Sequence, residues 1–122
     1  MELWKNFDRL VVFDTETTGI EFGRDRIIEI GAVKVENGKI TDRFSTFVNP
    51  QVPIPFRIEQ LTSINDSMVM DARPIEEILP EFLKFCEGAT MVAHNADFDM
   101  SFIIENCNRM GIPNDFTYVD TV

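Results

Sequence analysis

Apolar and polar positions along the chain change period several times, and each change marks an element. Residues 10–15 open with Leu10-Val11-Val12-Phe13, the continuous apolar run of a buried strand, and residues 27–35 (IIEIGAVKV) carry apolar side chains in both parities, which predicts a central strand. Asn37-Gly38 follows. That dipeptide favours a two-residue type I′ turn, so the alternation of Ile40, Asp42 and Phe44, with Phe47-Val48 beyond, reads as a third, antiparallel strand. Pro50, Pro53 and Pro55 make the next segment an extended connector, and residues 56–61 fit one short helix with Ile58 and Leu61 on a shared face. Over residues 74–87 the apolar positions Ile75, Ile78, Leu79, Phe82, Leu83 and Cys86 keep helical spacing up to Gly88. Pro80 interrupts that pattern and predicts a kink or a split into two short helices. Residues 90–93 (TMVA) read as a short buried strand. The helix after it carries Phe98, Phe102, Ile103, Cys107 and Met110 on one stripe, has Asn95 or Asp97 as its cap, and stops at Gly111 and Pro113. Residues 116–122 begin one more strand. Three strands joined by short turns, then alternating helix and strand, predict an α/β layer with a mixed sheet.

Composition narrows the class. The 122 residues are 44% apolar with eleven phenylalanines, enough for one globular domain with a modest core. No apolar run reaches the roughly 18 residues that span a bilayer, and the N-terminal MELWK lacks the regions of a signal peptide, so a cytoplasmic protein is expected, with no membrane partner. Cys86 and Cys107 have neither a disulfide-framework nor a zinc spacing and read as buried free thiols. The net charge of −10 argues against broad electrostatic capture of duplex nucleic acid, while leaving room for a small site whose acids are neutralised by cations.

The chemistry concentrates at strand ends. In Asp14-Thr15-Glu16-Thr17-Thr18-Gly19 the two carboxylates stand two apart, so on a strand they share a face. Read alone, such a pair is a solvated strand terminus; held close, it calls for a hard divalent cation such as magnesium or manganese. Three hydroxyl residues and a glycine follow at once, offering short donors and an approachable backbone. Asp99 stands near the first turn of the helix after the fourth strand, where the helix dipole favours a carboxylate, and joins Asp14 and Glu16 as a third candidate ligand.

Together, DTETTG at 14–19 and HNADFD at 94–99 resemble the first two motifs of the DEDD superfamily of 3′→5′ exonucleases, in its DnaQ-like, His-type branch. RIIEIGAVKV at 26–35 and IEQLTSINDSMV at 58–69 extend the likeness from about residue 10 to 122, nearest to the proofreading exonuclease domains of PolC-type DNA polymerase III. The resemblance implies a ribonuclease H-like mixed sheet with flanking helices, and hydrolysis of phosphodiester bonds from a single-stranded or frayed DNA 3′ end with two magnesium or manganese ions. It implies Asp14, Glu16 and Asp99 as catalytic metal ligands, and Thr15, Thr17, Thr18, Gly19, Leu61, His94, Asn95 and Phe98 as substrate-binding residues. Phe98 also reads as a core anchor, Leu61 as helix packing and His94 as a structural histidine.

The family's third motif brings a general-base histidine and a fourth aspartate. The one histidine here, His94, belongs to the second motif, and the one tyrosine, Tyr118, lies in the last strand. Residues 1–122 are therefore expected to be the N-terminal portion of one exonuclease-like domain, lacking its C-terminal helical part. Activity of this chain alone is expected to be very low, since loss of a general base costs about 10²–10⁴-fold. A polymerase polypeptide or replication complex is the expected protein partner. The competing expectations are a non-catalytic module that binds a nucleic-acid end or a metal ion, and an RNA-directed member of the same superfamily.

Overall fold

The structure, a computed structural model, describes residues 8–21, 23–114 and 116–120. The N-terminal segment read for a signal peptide and the last two residues of the expected final strand lie outside them. Nine elements follow in order: β1 (Arg9–Thr17), β2 (Ile27–Glu36), β3 (Lys39–Phe47), α1 (Phe56–Thr62), α2 (Asp66–Val69), α3 (Ile75–Phe85), β4 (Thr90–Ala93), α4 (Ala96–Met110) and β5 (Tyr118–Asp120). The strands form one mixed sheet in the order β3-β2-β1-β4-β5. Pairing is antiparallel among the first three strands and parallel from β1 to β4 and from β4 to β5. The expected mixed sheet is present, with β2 interior but β1, not β2, in the middle.

Local chemistry accounts for the β2–β3 hairpin. Asn37 and Gly38 have φ of 53° and 81°, the two positive values that a type I′ turn needs, and Glu36 pairs with Lys39 directly across it. A bulge between Lys34 and Val35 then resets the register.

One face of the sheet is buried under α3 and α4. Val11 and Phe13 of β1, Ile30 and Ala32 of β2, and Met91 and Ala93 of β4 meet Ile78, Leu79 and Phe82 of α3 and Met100, Phe102, Ile103 and Cys107 of α4. Phe82 is fully buried, with ring centroids 5.5 Å from Phe13 and 5.6 Å from Phe44. Both cysteines are free and buried in this layer, and burial pushes the Cys86 thiol up to about 12.

A smaller cluster on Ile28 gathers Ile54, Ile58, Ile64 and Val69, so α1 and α2 cover the end of β2. Three local expectations change. Ile58 is buried whereas Leu61 is 80% exposed, so they do not share a buried face. Pro80 sits within a single helix, α3, rather than between two; buried Leu79 and Phe82 on either side hold the turn whose hydrogen bond the proline lacks. The short α2, capped by Asn65 through its bond from the Met68 N–H at 3.1 Å, has no counterpart in the sequence reading.

Candidate active site

β1 delivers the two motif acids to one place because its parity is fixed by the core. Val11, Phe13, Thr15 and Thr17 turn inward, so Asp14 and Glu16 stand on the opposite face, Asp14 exposed and Glu16 half-buried. Asp99 arrives from the first turn of α4 and is 3% exposed. β4 pairs with β1 from Leu10 as far as Val12 and no further. Beyond that point the Thr15 N–H donates instead to Asp99 Oδ1 at 3.3 Å, and the Thr15 hydroxyl donates to the same oxygen. Thr15 therefore ties the third acid to the strand that carries the other two.

The charges of these groups are felt mutually. Burial raises the Glu16 carboxyl above the usual carboxylate range, and the negative charges of Asp14, Glu29 and Asp99 raise it further. Burial also raises Asp99, against the lowering bond from the Thr15 hydroxyl, with Asp14 and Asp120 adding to the rise. Glu29 stands opposite Glu16 in the β1–β2 register and is raised by burial and then by Asp14. An all-oxygen set of mutually repelling carboxylates is the donor chemistry of a hard divalent cation. Among the described residues, however, no three His, Cys, Asp or Glu side chains converge closely enough to hold a metal ion as they stand.

His94 is exposed at the end of β4 and, with Val12, Phe13, Asp14, Gly31, Ala32 and Val33, lines an open cleft of about 490 Å³. Asn95 precedes α4 as its N-cap residue without a side-chain cap bond; its carbonyl accepts from the Asp99 N–H at 3.0 Å. Phe98 is half-buried and packs against the core, its ring centroid 5.1 Å from that of Phe102. Leu61 points away from the core on α1.

The hydroxyls of the first motif are engaged inside the protein: Thr15 with Asp99, Thr17 with the Gly19 carbonyl at 2.5 Å, and Thr18 with Asp25 at 3.2 Å. Glu29, Asp120 and Asp25 were not singled out from the sequence. Glu29 falls opposite Glu16 only through the β1–β2 register, which the long connection between those strands hides.

The Exonuclease family matches residues 11–122. The chain belongs to it. This exonuclease-family chain is 56% identical over 112 residues to the PolC-type DNA polymerase III of Caldanaerobacter subterraneus subsp. tengcongensis, covering 92% of the chain and 8% of that relative. It is 50% identical over 115 residues to the enzyme of the same name from Clostridium perfringens, again covering 8% of the relative. The chain thus spans about a twelfth of these relatives. Among solved structures, exonuclease X in complex with 5′ overhanging duplex DNA matches with a TM-score of 0.71 and 32% identity, covering 92% of this chain and 59% of that one. A product-bound exonuclease I matches with a TM-score of 0.82 at 12% identity, covering 93% of this chain and 30% of that one, a likeness of fold. The exonuclease family and the ribonuclease H-like sheet are those that the two acidic motifs resemble.

Proposed function

We propose that residues 1–122 are the N-terminal portion of one exonuclease-like domain of a replicative DNA polymerase III, and that the complete domain hydrolyses DNA from its 3′ end during proofreading, in the cytoplasm. The observation that carries the reading is the union of Asp14 and Glu16 on one face of the middle strand with Asp99 tied to that strand through Thr15. Asp14, Glu16 and Asp99 would hold two magnesium or manganese ions. When bound, the ions supply a water of lowered pKa and stabilise the departing 3′ oxygen. The chain's own contributions are orientation and field. Thr15 fixes the Asp99 carboxylate, and the partial burial of Glu16 strengthens its attraction for a cation. The cleft beside Asp14 gives a nucleotide a route to the acids, with His94 at its edge. The general-base histidine that the family resemblance implies for a third motif is not among these residues, whose one histidine is His94. A polymerase polypeptide is the partner that brings the DNA end, which suits the charge of −10.

A non-catalytic module that binds a nucleic-acid end or a metal ion is the second reading, favoured by the spread of the carboxylates. The experiment that separates the two follows a 5′-labelled single-stranded oligodeoxynucleotide with manganese, comparing the 122-residue chain, a form extended through its natural downstream sequence, and Asp14→Ala in each. A ladder shortening from the 3′ end, produced by the extended form and abolished by Asp14→Ala, supports the exonuclease. No ladder from either form supports the module. A faster ladder on an oligoribonucleotide would move the substrate to RNA.

A further inference from the structure

The connection from β1 to β2 is organised around one enclosed carboxylate. Asp25 Oδ1 accepts from the Thr18 hydroxyl at 3.2 Å, and Oδ2 accepts from the Glu21 N–H at 3.0 Å. Arg24 lies 3.7 Å from Oδ2, and 12% of the Asp25 side chain is exposed. Thr18 is held in turn by Arg26: its N–H donates to the Arg26 carbonyl at 2.8 Å, and its hydroxyl accepts from the Arg26 N–H at 2.9 Å. Gly19 closes the arrangement. A Cβ at that position would collide with the Asp25 carboxylate, so the absent side chain is what lets the carboxylate lie against the backbone directly after the acidic motif.

Enclosing a carboxylate in a chain of charge −10 is unfavourable unless hydrogen bonds offset the lost solvation. Here they do so by gripping the segment that follows Glu16. We propose that Asp25 is a positioning residue for the 3′-terminal nucleotide, holding Thr18 directly and packing against Gly19, whose carbonyl accepts from the Thr17 hydroxyl, in the conformation that the nucleotide meets. This rests on the exonuclease reading. The Asp25 carboxylate bonds Thr18 and Glu21 and not Asp14, Glu16 or Asp99, so its influence is on substrate placement. The consequence is a change in KM with kcat retained.

The test uses the full-length polypeptide that carries these residues, a single-stranded oligodeoxynucleotide and manganese, with thermal unfolding recorded for every variant. Asp25→Ala is expected to raise KM about tenfold and leave kcat within about twofold. Asp25→Asn keeps the size but can accept from only one of the two donors, and is expected to fall between Ala and the native protein. Gly19→Ala should raise KM as Asp25→Ala does, and in the Asp25→Ala background the added methyl meets no carboxylate, so the double variant should be no worse than the single. Unchanged KM in Asp25→Ala, or penalties that multiply in the double variant, would overturn the inference while leaving the exonuclease reading in place. Absence of any Asp14-dependent cleavage in the native protein would overturn both.

Discussion

At the scale of single residues, the site depends on how Thr15 divides its bonds. Its backbone N–H and its hydroxyl both donate to Asp99, and a valine there keeps the first and loses the second. If Asp99 is a metal ligand as proposed, Thr15→Val in the form extended through its natural downstream sequence is expected to lower activity about tenfold and to raise the manganese concentration needed for half-maximal rate, since the ligand loses its outer partner; a metal titration of the initial rate measures both. The acids themselves make a second expectation. Glu16, Glu29 and Asp99 bind protons more tightly in the folded protein than ordinary carboxyls do. A raised carboxyl favours the fold at low pH and loses that contribution as pH climbs through the raised value. These three carboxyls should therefore cost the metal-free protein stability on going from the acid side of the carboxylate range towards neutrality, against the opposite contributions of Glu36 and Glu81, whose hydrogen-bonded carboxyls are lowered, and magnesium should offset that cost at neutral pH more than in acid. Thermal unfolding with and without magnesium across that range checks this, and a magnesium effect independent of pH would contradict it.

At the scale of elements, helix α3 carries a removable defect. Pro80 lies in its interior and is exposed, so Pro80→Ala restores a backbone donor without touching the core and should stabilise the protein by about 1 kcal/mol or more, seen as a higher denaturant midpoint. The turn between β2 and β3 gives the opposite sign: Gly38→Ala, at φ of 81°, should destabilise by about 1 kcal/mol in the same assay. Most elements were legible because their signals are local: Asn37-Gly38 for the hairpin, the apolar run of residues 90–93 for β4, and the stripe from Phe98 to Met110 for α4. What was not legible depends on contacts distant in sequence. The placement of Glu29 opposite Glu16 needs the β1–β2 register, and the commitment of the Thr15 hydroxyl to Asp99 needs α4 packed against β1. Neither leaves a trace in spacing. Asp14 and Glu16 were legible as a same-face pair because strand parity alone fixes that relation.

For the molecule as a whole, charge would govern how it meets a DNA end if the proposed function holds. A protein of charge −10 repels a DNA end over a Debye length that shrinks from about 30 Å at 0.01 M salt to about 10 Å at 0.1 M, so association should quicken over that range, contrary to a basic DNA-binding protein. Stopped-flow binding of a labelled oligonucleotide measures the sign. The buried thiols add a different consequence. Cys86 and Cys107 lie in the layer between the sheet and the two long helices; Cys86 also lines a surface pocket, whereas Cys107 is fully buried and does not reach solvent while that layer is closed, so the Cys107 thiol is the one to follow. A thiol reagent must wait for the layer to part, so the speed of its reaction is a clock for the opening of the protein. Run with and without a bound nucleotide, that clock would read out how firmly the distant cleft locks the hidden side of the sheet.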